Sequence, residues 1–97
     1  MNLTGSTWVL REDGEQNVTL RFMPRGVLEK RLSGTRATSG HRWMMRGSQL
    51  DLSFSDRPAA YVGSVEGTLI RGEILDGPDS GKSWIATLLV PAPSFRA

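Results

Sequence analysis

The sequence predicts an all-β fold: one domain, residues 1–97, built as a small antiparallel up-and-down β-barrel or a strongly curled meander of about eight strands. Three observations predict it. Short segments alternate apolar and polar residues with period two, the signature of a strand with one buried face. Turn chemistry rich in glycine, proline and aspartate separates these segments along the whole chain. Helical spacing surfaces only at Val27–Leu32, where Leu28 and Leu32 stand four apart, and a helix that short is marginal in isolation. A meander of eight strands closes most economically on itself, because closure removes the exposed edges.

The elements follow in order. Ser6–Arg11 is the first predicted strand, closed by Glu12-Asp13-Gly14-Glu15. Asn17–Met23 alternates cleanly, with Val18, Leu20 and Phe22 on one face and Thr19 and Arg21 on the other. Pro24-Arg25-Gly26 turns the chain, proline fixing φ and glycine free to take a positive value. Val27–Leu32 comes next, then the polar loop from Ser33 to Gly40 and a strand over His41–Arg46. Gly47-Ser48 is a two-residue hairpin signal leading to Gln49–Ser55, where Leu50, Leu52 and Phe54 alternate with Asp51 and Ser53. Asp56-Arg57-Pro58 turns into Ala59–Glu66, Gly67 breaks the chain before Thr68–Leu75, and a glycine-rich loop from Asp76 to Lys82 precedes the last strand, Ser83–Val90.

Composition narrows the chemistry. Hydrophobic residues make up 38% and charged residues 23%, ordinary for a folded domain and too apolar for a disordered one. A domain of this size buries a modest core, so Trp8, Trp43, Trp84, Phe22, Phe54 and Tyr61 are its expected anchors. The chain has no cysteine, which excludes disulfides, thiolate metal sites and cysteine nucleophiles. Met1–Gly5 has neither a basic start nor a long apolar run, so no secretory leader is expected, and a cytoplasmic location is the expectation. No segment is apolar enough to span a bilayer as a helix. No metal or other cofactor is expected.

The net charge of +2 is unevenly placed. Seven basic residues and one acidic residue, Glu29, lie between Arg21 and Arg46. With Leu20, Phe22, Leu28, Leu32 and Trp43 inward, alternation turns Arg21, Arg31, Arg42 and Arg46 outward on three neighbouring strands. That patch would suit a polyanion or an acidic partner protein; nucleic acid is disfavoured because no aromatic residue interleaves with the arginines. The bland reading is a solvated face, partly neutralised by Glu29.

Other features also have a sharp reading and a bland one. Gly77-Pro78-Asp79-Ser80-Gly81-Lys82-Ser83 is one residue short of a phosphate-binding loop and leads into a strand instead of a helix, so it reads as a hairpin loop. His41, the single histidine, has no cysteine or second histidine beside which to hold a metal, and no nucleophile motif accompanies it. Tyr61, Gly63 and Val65 share one face, as do Ile70, Gly72 and Ile74. The two glycines leave room for something large, either an indole of the chain itself or a small apolar or aromatic ligand. The last strand is apolar on both faces; Val9, Ile85 and Leu89 would form an outer patch, covered by the tail with Phe95 or by a second copy in a symmetric dimer.

Thr4-Gly5-Ser6-Thr7-Trp8, Phe22-Met23-Pro24-Arg25-Gly26-Val27 and Ser83-Trp84-Ile85-Ala86-Thr87-Leu88 resemble the calycin group, the lipocalin-like and avidin-like up-and-down barrels. The resemblance covers most of the chain as a layout and implies the barrel. The chain is shorter than typical members, and Ser6 stands between glycine and Thr7-Trp8 where the family reads Gly-x-Trp. The polar biotin contacts of avidins have no residue-by-residue counterpart in this chain.

Three functions are therefore in view. The first is a non-catalytic binding module holding a small ligand among Trp8, Trp43, Tyr61 and Trp84, with space at Gly63 and Gly72 and a polar handle from His41 or Tyr61. The runner-up is a protein-interaction or polyanion-binding domain using the four arginines. The third is an enzyme with His41 as acid–base group.

Overall fold

The computed structural model describes residues 2–57 and 59–93. Its eight strands are β1 (Thr7–Glu12), β2 (Val18–Phe22), β3 (Val27–Leu32), β4 (Thr38–Arg46), β5 (Gln49–Ser53), β6 (Ala60–Glu66), β7 (Leu69–Ile74) and β8 (Ser83–Val90). Each pairs antiparallel with its sequence neighbours, and β8 returns to β1, closing the barrel. Two strands match the sequence-based bounds, β3 and β8, and four others shift by one residue at one or both ends. Val27–Leu32 is a strand, because Leu28 pairs with Phe22 on one side and His41 on the other. A local run cannot form a helix while both of its edges are claimed by a sheet.

The larger difference is β4, which starts at Thr38 instead of His41. A register shift between Leu28 and Lys30 lets Thr38 pair with Lys30, so the polar run that reads as loop is drawn into the sheet. β5 ends two residues early, at Ser53, where the chain turns toward the next loop. Between β2 and β3, Pro24–Gly26 forms a short 3-10 turn with Arg25 at φ 63° and Gly26 at φ 75°. Arginine in the left-handed region is uncommon.

The strand directions give the barrel two different ends. One is closed by tight connections: Pro24–Gly26, Gly47-Ser48 and Gly67-Thr68. There the amino-terminal segment folds in, with Leu3 buried and the Gly5 amide donating to the Phe22 carbonyl at 2.7 Å. Ser6 Oγ donates to the Leu3 carbonyl and accepts the Trp8 indole N–H at 2.8 Å. The opposite end carries the four longer connections, 13–17, 33–37, 54–59 and 75–82, and forms the mouth.

Aromatic rings fill the space between the ends. Trp8, Phe22 and Trp43 pack in series toward the closed end. His41, Phe54, Tyr61 and Trp84 form a second series toward the mouth, with centroids 5.0–5.9 Å apart. Trp84 is 1% exposed, and its six-membered ring lies over Gly63 and Gly72, which face each other across β6 and β7. A Cβ on Gly63 would sit 2.8 Å from Trp84 and 2.9 Å from the Arg71 carbonyl; one on Gly72 would collide with Trp84 and the Val62 carbonyl. The room left by the glycines holds an indole of the chain itself.

Phe95, expected as a cover for the last strand, lies outside the described residues. Val9, Ile85 and Leu89 all face outward on β1 and β8, flanking Thr87, with Leu89 58% exposed. No helix among the described residues is long and apolar enough to cross a membrane.

The Trp84 fit gives a stability prediction. Gly72→Ala forces an added methyl against backbone and ring together, so it should cost about 3 kcal/mol, the upper part of the overpacking range. In a domain of this size that lowers Tm by roughly 12–24 °C, read by thermal unfolding followed by circular dichroism. A variant melting within a few degrees of the parent would show that the ring does not fill this space.

Candidate functional site

The mouth is built by charged residues that occupy inward positions near the strand ends. On β1 the inward series Trp8, Leu10 ends in Glu12; on β3 the inward series Leu28 continues to Lys30. Both charged side chains are therefore buried by the same alternation that buries the leucines. Burying a charge is costly unless it is paired, and each of these has a partner from a loop.

Arg57, in the loop between β5 and β6, is the centre of the network. One of its terminal nitrogens donates to Glu12 Oε1 at 3.2 Å and to the Tyr61 hydroxyl at 2.8 Å. The other donates to Glu15 Oε1 at 2.9 Å and to Asp79 Oδ2 at 3.0 Å. The planar fork of a guanidinium suits such a junction. One side chain thus ties three of the four mouth loops together. The Tyr61 hydroxyl also donates to Glu12 Oε1 at 2.7 Å. Burial, then the hydrogen bond and charge of Glu12, push the Tyr61 pKa far above its ordinary value, with Arg57 opposing, so the phenol stays protonated. Burial would lower the Arg57 pKa, but Tyr61 and the carboxylates of Glu12 and Glu15 outweigh it and raise it.

Lys30 forms the second polar group, bonded to both carboxylate oxygens of Asp56 at 2.9 and 3.2 Å and lying 5.0 Å above the Phe54 ring, a cation–π arrangement. Burial works upward on the Asp56 pKa, but the Lys30 hydrogen bond and charge overcome it and hold the carboxyl below its ordinary value. Between the Arg57 network and the β2–β3 wall lies a cavity of about 380 Å³. Leu10, Val18, Leu32 and Phe54 supply its apolar lining, and Glu12, Lys30, Arg57 and Tyr61 its polar groups.

One oxygen in this network stands apart. Glu12 Oε1 is shared by Arg57 and Tyr61, while Oε2 is enclosed and has no hydrogen-bond partner among the described residues. Glu12, Glu15 and Asp79 also bring one carboxylate oxygen each within 4.8 Å of one another, close enough for a metal ion. Arg57 already donates to all three, so an ion would have to displace the guanidinium.

The residues singled out from the sequence are distributed as follows. Tyr61 lines the mouth. Trp84 packs beneath it, over Gly63 and Gly72. Trp8 is deep toward the closed end, and Trp43 is half-buried there with its indole N–H on the Met23 carbonyl at 2.9 Å. His41 is 1% exposed and fully engaged: Nδ1 accepts the Ser55 amide at 3.0 Å, and Nε2 meets Thr38 Oγ1 at 2.8 Å. Because Nδ1 accepts a backbone N–H, the ring is neutral with its proton on Nε2. Burial lowers its pKa, with Asp56 opposing and Lys30 adding to the effect. The ring packs edge-on against Phe54 and serves the join between β4 and the β5–β6 loop.

The four arginines are all exposed: Arg21, Arg31 and Arg42 lie around Glu29 on neighbouring strands, and Arg46 is four residues further along β4. Arg21 lies 3.7 Å from Glu29, and Arg46 is bonded to Asp51. Arg31 and Arg42 spend hydrogen bonds on the carbonyls of Thr35 and Arg25.

Sequence reasoning missed Glu12, Lys30 and Arg57. A signal existed for the first two: Glu12 continues the two-residue spacing of Trp8 and Leu10, and Lys30 stands between Leu28 and Leu32 at the same spacing. Arg57 sits in a turn and carries no such mark.

The partners of Arg57 and His41 each generate a prediction. Arg57→Met leaves the buried Glu12 carboxylate without its cation and should cost about 3 kcal/mol; adding Glu12→Gln should return most of it, giving a positive coupling in a double-mutant cycle by urea unfolding. Additive losses would break the proposed link. For His41, the folded pKa lies below the ordinary 6.5, so the unfolded chain binds the extra proton first. Stability should hold above pH 6.5 and fall as the pH drops below it, while His41→Gln should flatten that slope in unfolding curves measured from pH 7.5 to 5. No protein-family model, curated protein sequence or solved structure matches this chain.

Proposed function

We propose that this protein is a non-catalytic binding module that takes a small molecule at the open mouth of its barrel. The observation that carries this reading is the cavity of about 380 Å³ between the Arg57 network and the β2–β3 wall. Its size falls at the small end of the range typical of ligand sites, and its make-up is the usual one, apolar walls with a few convergent polar groups. The surrounding elements are tied to one another. Three mouth loops are tied by Arg57, and the floor is the packed series of Phe54, Tyr61 and Trp84.

The binding place differs from the one the aromatic residues suggest in the sequence. Trp8 and Trp84 are 1–2% exposed and packed within the core, so a ligand fits above the rings and not among them. Tyr61 is shared by both versions. The calycin-like layout of the opening and closing segments accords with a barrel that binds at one end.

A chemical reading in which His41 acts as acid or base has less support, since its two nitrogens are committed to Ser55 and Thr38 and a catalytic base must reach the proton it moves.

The test is a plug. Leu32→Trp places an indole on the rim of the cavity without touching the Arg57 network. Against a diverse panel of small molecules, the parent should show at least one saturable hit, with a stabilisation of about 1.4 kcal/mol at ten times Kd, a Tm rise of roughly 5–10 °C. The same compound should lose its effect on the plugged variant. A hit that stabilises both proteins equally, or a panel with no response, would remove the reading.

A further inference from the structure

Resting on the mouth as the binding site, we infer that its ligand is a small organic cation, a protonated amine carried on an aromatic or branched apolar body. The chemistry of the lining selects it. Three carboxylates, Glu12, Glu15 and Asp56, meet two cations, Lys30 and Arg57, around the cavity. Both cations are already engaged by the protein. The two terminal nitrogens of Arg57 make four hydrogen bonds, and Lys30 bonds both oxygens of Asp56. An entering carboxylate or phosphate would have to compete with these carboxylates for the two cations and would add a like charge beside three others.

A donor meets the opposite situation. Glu12 Oε2 is a buried acceptor with no partner among the described residues, and an unmet buried acceptor carries a standing desolvation cost that a ligand N–H can relieve. The last torsion of a glutamate side chain is soft, so a rotation that turns both oxygens can offer this carboxylate to the mouth. The ammonium group of an amine is compact, has three donors, and gains from the charge as well as from the hydrogen bond.

The wider field has the same sign. The four mouth loops, 13–17, 33–37, 54–59 and 75–82, contain five acidic and three basic residues, although the chain as a whole is positive. Arg21, Arg42 and Arg46 lie on the outer wall of β2 and β4, away from the opening, while Arg31 stands near it, bonded to the Thr35 carbonyl. The rest of the ligand is set by Leu10, Val18, Leu32 and Phe54, which offer flat and branched apolar surface, with the neutral amide of Gln16 beside them.

Three probes of one size separate charge and donor from shape: benzylamine, benzyl alcohol and benzoate, titrated at pH 7 by isothermal calorimetry and by amide chemical shifts. Benzylamine should bind at least tenfold more tightly than benzyl alcohol, and benzoate should not bind measurably. Glu12→Gln, checked for folding by circular dichroism, should bring benzylamine and benzyl alcohol within about threefold of each other. The comparison of probes on the parent protein needs no variant, so it stands even where Glu12→Gln unfolds the domain. Benzyl alcohol or benzoate binding as tightly as benzylamine, with Leu32→Trp abolishing it, would overturn the cation while keeping the mouth. Benzylamine preference unchanged in folded Glu12→Gln would also overturn it. Binding by none of the three, or binding that survives Leu32→Trp, would overturn the cation and the mouth together.

Discussion

Because β8 pairs with β1, all eight strands surround one interior whose width is fixed by their number, and eight strands leave room for side chains and little more. The chain fills that room with rings. Trp84 is the clearest case, since it lies flat over two glycines that would otherwise leave a hole. A filled interior has a consequence for the proposed function. The space for another molecule moves to the end of the barrel where the connections are long and the lining changes from leucine to charge.

The charged end is held by the same rule that builds the core. Glu12 and Lys30 occupy inward positions because alternation continues through them, and burial then obliges each to find an opposite charge. Arg57 and Asp56 come from a single loop to meet them. The mouth is thus a by-product of strand alternation that places charged residues at inward positions, fixed by a loop that supplies both partners.

Much of the fold was legible in the chain. Val18, Leu20 and Phe22 against Thr19 and Arg21 give the face of β2 directly, and Gly47-Ser48 gives the turn between β4 and β5. The start of β4 was not legible, because Thr38 enters the sheet through a bulge opposite Lys30, and a bulge depends on the partner strand. The site was legible only in part. Tyr61 stands out as the one tyrosine, and the glycines on β6 and β7 announce a large neighbour without saying that Trp84 is that neighbour. Arg57 left no trace, since its importance comes from three carboxylates 22 to 45 residues away. His41 drew attention as a lone histidine, and its role is the ordinary one of a neutral ring joining backbone to side chain.

The proposed function depends on where a small molecule would meet this barrel. A map of backbone amide shifts, recorded as benzylamine is added to the nitrogen-15-labelled protein, reads that place directly. Binding at the mouth predicts saturable changes at Glu12, Leu32, Phe54 and Tyr61, with the amides of Ser6, Gly47 and Gly67 at the closed end unmoved. Changes centred on Trp8 and Trp43, or spread along the arginine-bearing wall, would contradict it.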